Sequence, residues 1–372
     1  MNDPWLNLAI AHEEDLSAVP AGFGVVALVD GQRRCLLLAA TGDMPRFCTR
    51  RKSFFLEAAR DDGQARVWVL PCGSMFEAEL EYLRAARRFM PQRVASITDR
   101  WRTWYLRLDP RAGRWSACSL EDLSEADASN IVIGPMDERS MPIRLGELLD
   151  DVFDLCRFPT ELARRPGGRV CVYHEMGRCP APCAGLEVWE SFLARFAEAS
   201  ASARSMEALR QAVHHHMQHA ASKMDFERAH ELQRLAQWLC SRRAAGLSHI
   251  GDVRTWALVA VVPQPSRAVR LYVVRADGTS DLGSVAGRPE ASLEPMLALI
   301  ERATGGSVEP PYPRAGVEES WVACRRLFRK RRAEVYLTRA EALEPDTLLA
   351  AVRREAPAVD EETDSETRAG QP

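Results

Sequence analysis

The chain is short of lysine. Among its 372 residues lysine occurs only at Lys52, Lys223 and Lys330, so the positive charge is almost entirely arginine. No apolar run approaches the roughly 18 residues that a membrane span needs, and the opening residues do not read as a signal peptide. A cytoplasmic protein with no membrane contact is therefore expected. No C-x2-C pair occurs, which makes a zinc finger or zinc ribbon a poor fit. Tyrosine is absent before Tyr82, and the only histidine before it is His12. Tyrosine or histidine proton-transfer chemistry therefore has little material in the first 80 or so residues.

What is present is ordinary for a soluble globular protein, with 46% hydrophobic and 27% charged residues. The length suits two or three domains. The net charge of −3 hides an uneven distribution. From Gly31 to Trp115 there are 17 Lys and Arg against 9 Asp and Glu, and the acid is concentrated elsewhere, including Asp360 to Glu366. A basic module in a near-neutral chain suits contact with nucleic acid, although a solvated arginine surface would look the same. Residues 356–372 are polar and acidic, and disorder is expected there.

The hydrophobic pattern predicts an α+β multidomain protein. Phe23 to Val29 and Cys35 to Ala40 read as a β-hairpin turned at Asp30-Gly31. Ser53 to Ala59 is helical in pattern, Ala65 to Leu70 a strand, and Phe76 to Phe89 a helix ended by Pro91. Residues 1 to about 20 look like a short helix and lead-in. Trp101 to Leu108 and Trp115 to Leu120 read as strands, and Leu145 to Leu155 as a helix. Val188 to Ala245 is helical throughout, with a break near Ser200. Asp252 to Val262 and Val269 to Ala276 pair as a hairpin, and Leu293 to Ala303 is a helix.

The densest chemistry lies in Cys171-Val-Tyr-His-Glu-Met-Gly-Arg-Cys179-Pro-Ala-Pro-Cys183-Ala-Gly, with Cys156 upstream. Thiolates gathered this closely commonly hold a metal or an iron–sulfur cluster. Buried cysteines with no ligand are the plainer alternative. The six other cysteines are scattered and read as small buried apolar residues. The wording around the four resembles the cysteine-rich region of the UvrC family, the incision component of the bacterial ABC excinuclease, with Tyr173, Arg178, Pro182 and Gly185 in register. The resemblance is colinear over about residues 17 to 285. Pro20 to Phe55 resembles the first half of a GIY-YIG nuclease domain. Ile133-Gly-Pro135 resembles the family's F-G-P. Asp225, Phe226, Glu227, Ala229 and Leu232 fit the UVR motif, a helical hairpin that pairs with its counterpart on UvrB. Trp256 to Gly287 resembles the opening hairpin of an RNase H-like domain.

The resemblance and the composition together imply five regions: a degenerate GIY-YIG-like domain (1–95), strands and a cysteine cluster (96–187), helices with the UVR motif (188–247), a truncated RNase H-like α/β domain (248–355) and a disordered acidic tail (356–372). It implies a [4Fe–4S] cluster on Cys156, Cys171, Cys179 and Cys183, with zinc as runner-up. The implied partners are double-stranded DNA and UvrB or another UVR-containing protein. Glu77 matches the metal-binding glutamate of the nuclease, and Arg46 or Arg50 its arginine. The two nuclease tyrosines, however, correspond to valine in Gly24-Val25-Val26 and leucine in Leu37-Leu38-Ala39. Neither side chain can move a proton. The expected function is therefore that of a DNA-binding accessory of nucleotide excision repair with an inactive nuclease site. Arg50, Arg51, Lys52, Arg84, Arg87 and Arg88 are its expected DNA contacts. An active endonuclease using Mg²⁺ or Mn²⁺ and making a single incision is the first alternative. A metal- or redox-sensing adaptor is the second. The UVR positions could equally be the seam of an intramolecular helix pair, and His214, His215, His216 and His219 read as a polar helix face.

Overall fold

The computed structural model describes residues 5–9, 13–264, 268–285, 289–328, 336–340, 343–346 and 348–350. The acidic tail lies outside them. Three four-stranded antiparallel sheets carry the fold, and helices pack against each.

The first sheet has the order β1-β4-β2-β3, from β1 (Leu6–Ala9), β2 (Gly24–Val29), β3 (Cys35–Thr41) and β4 (Arg66–Pro71). Strand β2 is buried on both faces, because α1 (Met44–Arg50) and α2 (Lys52–Asp61) cover one and α3 (Met75–Phe89) the other. Val26, Leu28, Val67 and Val69 pack with Met44, Cys48 and Phe55 on the α1–α2 side. Among the described opening residues the expected short helix is limited to a 3-10 segment, Glu13–Ala18, with a strand before it. Leu6–Ala9 pairs with β4, so an available sheet edge overrides local pattern. Helix α1 is not signalled by the hydrophobic pattern. Asp43 caps it by accepting from the Arg46 amide at 3.0 Å, and Pro45 stands in its first turn.

After α4 (Val94–Thr98), the second sheet runs β6-β5-β7-β8, from β5 (Trp104–Asp109), β6 (Arg114–Cys118), β7 (Ile131–Met136) and, far along the chain, β8 (Gly251–Asp252). Helix α5 (Ser140–Val152) packs on β5 and β6. It is followed by the one-turn helices α6 (Pro159–Leu162) and α7 (Val172–Glu175) of the cysteine region.

The helical region divides into α8 (Trp189–Ser202), α9 (Met206–Ser222) and α10 (Phe226–Cys240). The break expected near Ser200 falls later. Ser200 is buried inside α8 with its hydroxyl on the Phe196 carbonyl at 2.7 Å. The interruptions come where Ser205 caps α9, accepting from the Ala208 amide, and Asp225 caps α10, accepting from the Arg228 amide.

The third sheet, β11-β10-β9-β12, comes from β9 (Leu258–Pro263), β10 (Val269–Arg275), β11 (Gly278–Val285) and β12 (Tyr336–Arg339), flanked by α11 (Pro289–Thr304) and α12 (Arg314–Phe328). The expected hairpin exists, but its first strand starts at Leu258, because Gly251–Asp252 pairs with β7 instead. One buried core joins all three sheets. Phe76, Leu80 and Leu83 of α3 meet Tyr105 and Cys118 of the second sheet, and Leu258, Tyr272 and Trp321 of the last unit.

Candidate functional site

The cysteine region is built from tight turns. Asp154 takes a positive φ of 50° just after α5, which turns the chain and presents Cys156. The chain then folds back on itself at Gly168, whose amide donates to the Cys183 carbonyl at 2.9 Å. A Cβ at Gly168 would stand 2.6 Å from the Glu161 carbonyl oxygen and 2.9 Å from that of Cys183, so only glycine permits this approach. Positive φ at Gly177, Ala181 and Gly185 winds the rest into a compact loop. The Cys183 thiol reaches the Arg169 carbonyl at 3.5 Å. His174 Nδ1 lies 2.8 Å from the Cys179 carbonyl oxygen.

These turns bring the four cysteines into one neighbourhood. Cys179 and Cys183 are buried, while Cys156 and Cys171 are half-buried. The Cys156 thiol is hydrogen-bonded to Cys179, and this bond above all lowers Cys179 to about 6, with the nearby Arg195 and Arg157 helping. The same bond, with burial, pushes Cys156 up. Burial, then the charge of Cys179 and further off Cys171, raises Cys183. Clustered thiols beside guanidinium groups are soft donors of the kind that hold an iron–sulfur cluster or zinc. In kind the donor set fits such a group. Among the described residues, however, no three His, Cys, Asp or Glu side chains stand in position to hold a single metal ion.

The cysteine loop is clamped to α10. Arg178 pairs with Glu231 at 2.6 Å, and Arg228 pairs with Asp154 at 2.8 Å while donating to the Asp151 carbonyl. Arg157 lies over the Tyr173 ring at 4.2 Å. A cavity of about 420 Å³ remains between loop and helix, lined among others by Arg157, Tyr173, Arg178, Arg228 and Trp238.

The α9–α10 pair splits the five UVR positions. Leu232 is buried in the seam and Ala229 packs beside it, whereas Phe226 is 70% exposed and Glu227 faces water. Met224, with a φ of 60°, is 76% exposed beside it. Asp225 caps the helix. An exposed phenylalanine and methionine at a helix–helix corner form an apolar tip that the hairpin itself does not need. His214, His215 and His219 are exposed, and His216 lies edge-on to Phe153 at 4.9 Å.

In the first unit, Val25 and Val26 are fully buried on β2, and Val26 pairs in register with Ala39 of β3. A Cβ at Gly24 would meet the Leu70 carbonyl oxygen at 2.5 Å and the Met44 sulfur at 2.3 Å, so close packing suffices to require this glycine. Arg46 and Arg50 are exposed on α1, and Arg51 and Lys52 are exposed just beyond it. The structure does not bring Arg46 or Arg50 to Glu77. That carboxylate is buried and accepts from the Gly73 amide at 2.7 Å, Tyr272 OH at 2.5 Å and Gln264 Nε2 at 3.2 Å, with Arg270 at 3.6 Å. Sequence reasoning missed Tyr272, Gln264 and Arg270 because they lie nearly two hundred residues away, with no local signal.

The other expected DNA contacts on α3 also have partners. Arg84 pairs with Glu81 and Glu319, and Arg87 pairs with Glu318 and Glu319. Arg88 is exposed and lies over the Phe89 ring at 5.2 Å.

Residues 104–202, from the first strand of the second sheet to the end of α8, match the family model of the UvrC/Cho excinuclease middle domain. All four cysteines of the cluster fall inside this stretch. The match supports a UvrC/Cho-like relation and points to an excinuclease-related role in DNA repair. No curated protein and no solved structure matches the chain. Among the described residues no helix is long and apolar enough to cross a membrane.

Proposed function

We propose that this protein is a DNA-binding, UvrB-interacting accessory of nucleotide excision repair, built on a nuclease-like unit that no longer cuts. The observation that carries the reading is the excinuclease middle domain at residues 104–202, clamped by Arg178 and Arg228 to a helix pair with an exposed Phe226 tip.

In this reading residues 1–95 are a degenerate GIY-YIG-like domain and 96–187 contain the cysteine cluster. Residues 188–247 present the UVR motif, and 248–355 form a partial RNase H-like unit. Cys156, Cys171, Cys179 and Cys183 hold a [4Fe–4S] cluster, with zinc as the alternative. Bound there, such a group would cross-link the turns between Cys156 and Cys183. Phe226 and Met224 dock on the UVR counterpart of UvrB. Arg50, Arg51, Lys52 and Arg88 contact the phosphate backbone.

Catalysis is unsupported on chemical grounds. Valine and leucine stand where proton-handling tyrosines are needed, and Glu77 faces protein donors on every side. The test uses anaerobically purified protein with lesion-containing duplex DNA, UvrB, ATP and Mg²⁺ or Mn²⁺. UvrB-dependent binding with no nick is expected. Strand cleavage by the pure protein would overturn the accessory reading.

A further inference from the structure

The α3 helix carries four charged side chains that point away from its own sheet, and each is engaged by the last unit. Glu77 receives Tyr272 and Gln264 and has Arg270 alongside. Glu79 is paired with Arg325 at 3.1 Å and Arg326 at 3.0 Å. Arg84 reaches Glu319, and Arg87 reaches Glu318 and Glu319. The pairing changes sign along the helix, so that it specifies one register of α3 against β10 and α12. Beneath it Phe76 lies edge-on to Tyr272, with ring centroids 5.6 Å apart.

We infer that this face is a permanent intramolecular interface, and that Glu77 is its latch, an internal acceptor held by Tyr272 and Gln264 and not a cation ligand. The inference deepens the reading of an inactive first unit and borrows from it only the correspondence of Glu77 to a nuclease glutamate.

The geometry decides between latch and catalytic centre. A tyrosine, an arginine and a glutamate do come together here, the residue types a GIY-YIG site uses, and a rebuilt active centre is the rival reading. Three facts oppose it. Tyr272 is 3% exposed and Glu77 is 4% exposed, so a phosphodiester cannot reach either. A carboxylate offers about four lone-pair sites. Here the Gly73 amide, the Tyr272 hydroxyl and the Gln264 Nε2, which is shared between both oxygens, occupy most of them. Finally, the Tyr272 phenol is pushed far up, by burial first and then by the Glu77 charge, so it donates a proton to a hydrogen bond and cannot serve as a base. Arg270, beside Glu77 at 3.6 Å, is held at the same time by a bidentate pairing with Asp281.

A second consequence concerns DNA. Glu318 and Glu319 occupy the guanidinium groups of Arg84 and Arg87, and a phosphate would have to displace both. This face of α3 is thus closed to DNA as well as to metal, whereas Arg50, Arg51 and Lys52 around the end of α1, and Arg88 on another side of α3, are exposed.

The test is amide hydrogen exchange on the full chain for wild type, Glu77→Gln, Tyr272→Phe and the double variant, with Mn²⁺ binding followed by electron paramagnetic resonance. Tyr272→Phe removes one buried, charge-assisted bond, and Glu77→Gln removes the charge that Gly73, Tyr272 and Gln264 share, so exchange over residues 73–80 and 269–275 should rise roughly tenfold or more. The double variant should add little to Glu77→Gln, because the Tyr272 hydroxyl acts through that same carboxylate. Independent, additive increases, or no increase at all, would overturn the latch. So would Mn²⁺ binding by wild type that Glu77→Gln abolishes. The nicking assay reads the accessory function separately: a nick with an intact latch indicts that function, and a broken latch without nicks indicts only this inference.

Discussion

Asp150 is buried on α5, six residues before Cys156, with Trp115 Nε1 donating to its Oδ1 at 3.0 Å. Loss of water above all pushes its carboxyl from the ordinary 3.8 up to about 7, against the pull of the Trp115 bond and Arg157. The folded state therefore holds a proton that the unfolded chain releases near pH 4. Between these values the native state binds more protons, so its stability falls as pH rises from about 4 to about 7. At about 1.4 kcal/mol per pH unit, the interval amounts to roughly 4 kcal/mol as an upper limit. Relaxation and water entry reduce it by about half, so roughly 2 kcal/mol is the working figure. Asp150→Asn removes the charge and keeps an oxygen for the Trp115 indole. Urea unfolding of wild type and variant at pH 4, 5.5, 7 and 8.5 isolates the contribution as a difference. Near equality at pH 4 and a variant more stable by about 2 kcal/mol at pH 8.5 are expected. A variant less stable than wild type at pH 8.5, or a difference that does not change with pH, would refute the reasoning.

Cys179→Ser should lose bound iron by elemental analysis and raise hydrogen exchange over residues 150–190. Unchanged metal content would defeat the ligand assignment. Phe226→Ala should leave the melting temperature within about 1 °C of wild type, since the side chain is largely exposed, yet weaken UvrB binding in calorimetry by about tenfold or more. Reversing Arg50 and Arg51 to glutamate should weaken duplex binding and flatten its salt dependence by about one unit of slope per lost phosphate contact. Arg84→Ala should do neither, but should lower stability by about 1–3 kcal/mol because Glu319 loses a partner in a half-buried network. Equal effects of the two changes on DNA affinity would contradict the closed α3 face.

The first hairpin, the strand after it and the long α3 helix were legible because their apolar spacing is local: Val25 to Val29 is unbroken, and Leu80 and Leu83 repeat on one side. The close spacing of the cysteines was visible in the sequence, whereas the turns at Asp154, Gly168 and Ala181 that carry the chain between them were not. Pairing across long separations was not legible. Gly251–Asp252 looks like the start of its own hairpin, yet the edge of β7 claims it. Arg84 and Arg87 look like solvated DNA contacts until α12 supplies Glu318 and Glu319. Charge sign says what a side chain can bind, and only tertiary geometry says what already binds it. The exposure of Phe226 was hidden for the opposite reason, since its apolar character read as part of the seam that Leu232 fills.

The core shared by Phe76, Tyr105, Tyr272 and Trp321 bears on how the chain acquires its shape. Residues more than two hundred positions apart must meet before that core closes, and loop closure over such distances is slow. During synthesis the first sheet emerges long before α12 and waits with one flank of α3 wet. Truncation after residue 95 would leave that flank apolar and open to self-association. A recombinant fragment of the first unit should therefore be far less tractable than the whole polypeptide, and the α9–α10 pair, whose core continues into α5, α8 and the second sheet, is best kept joined to residues 104–202.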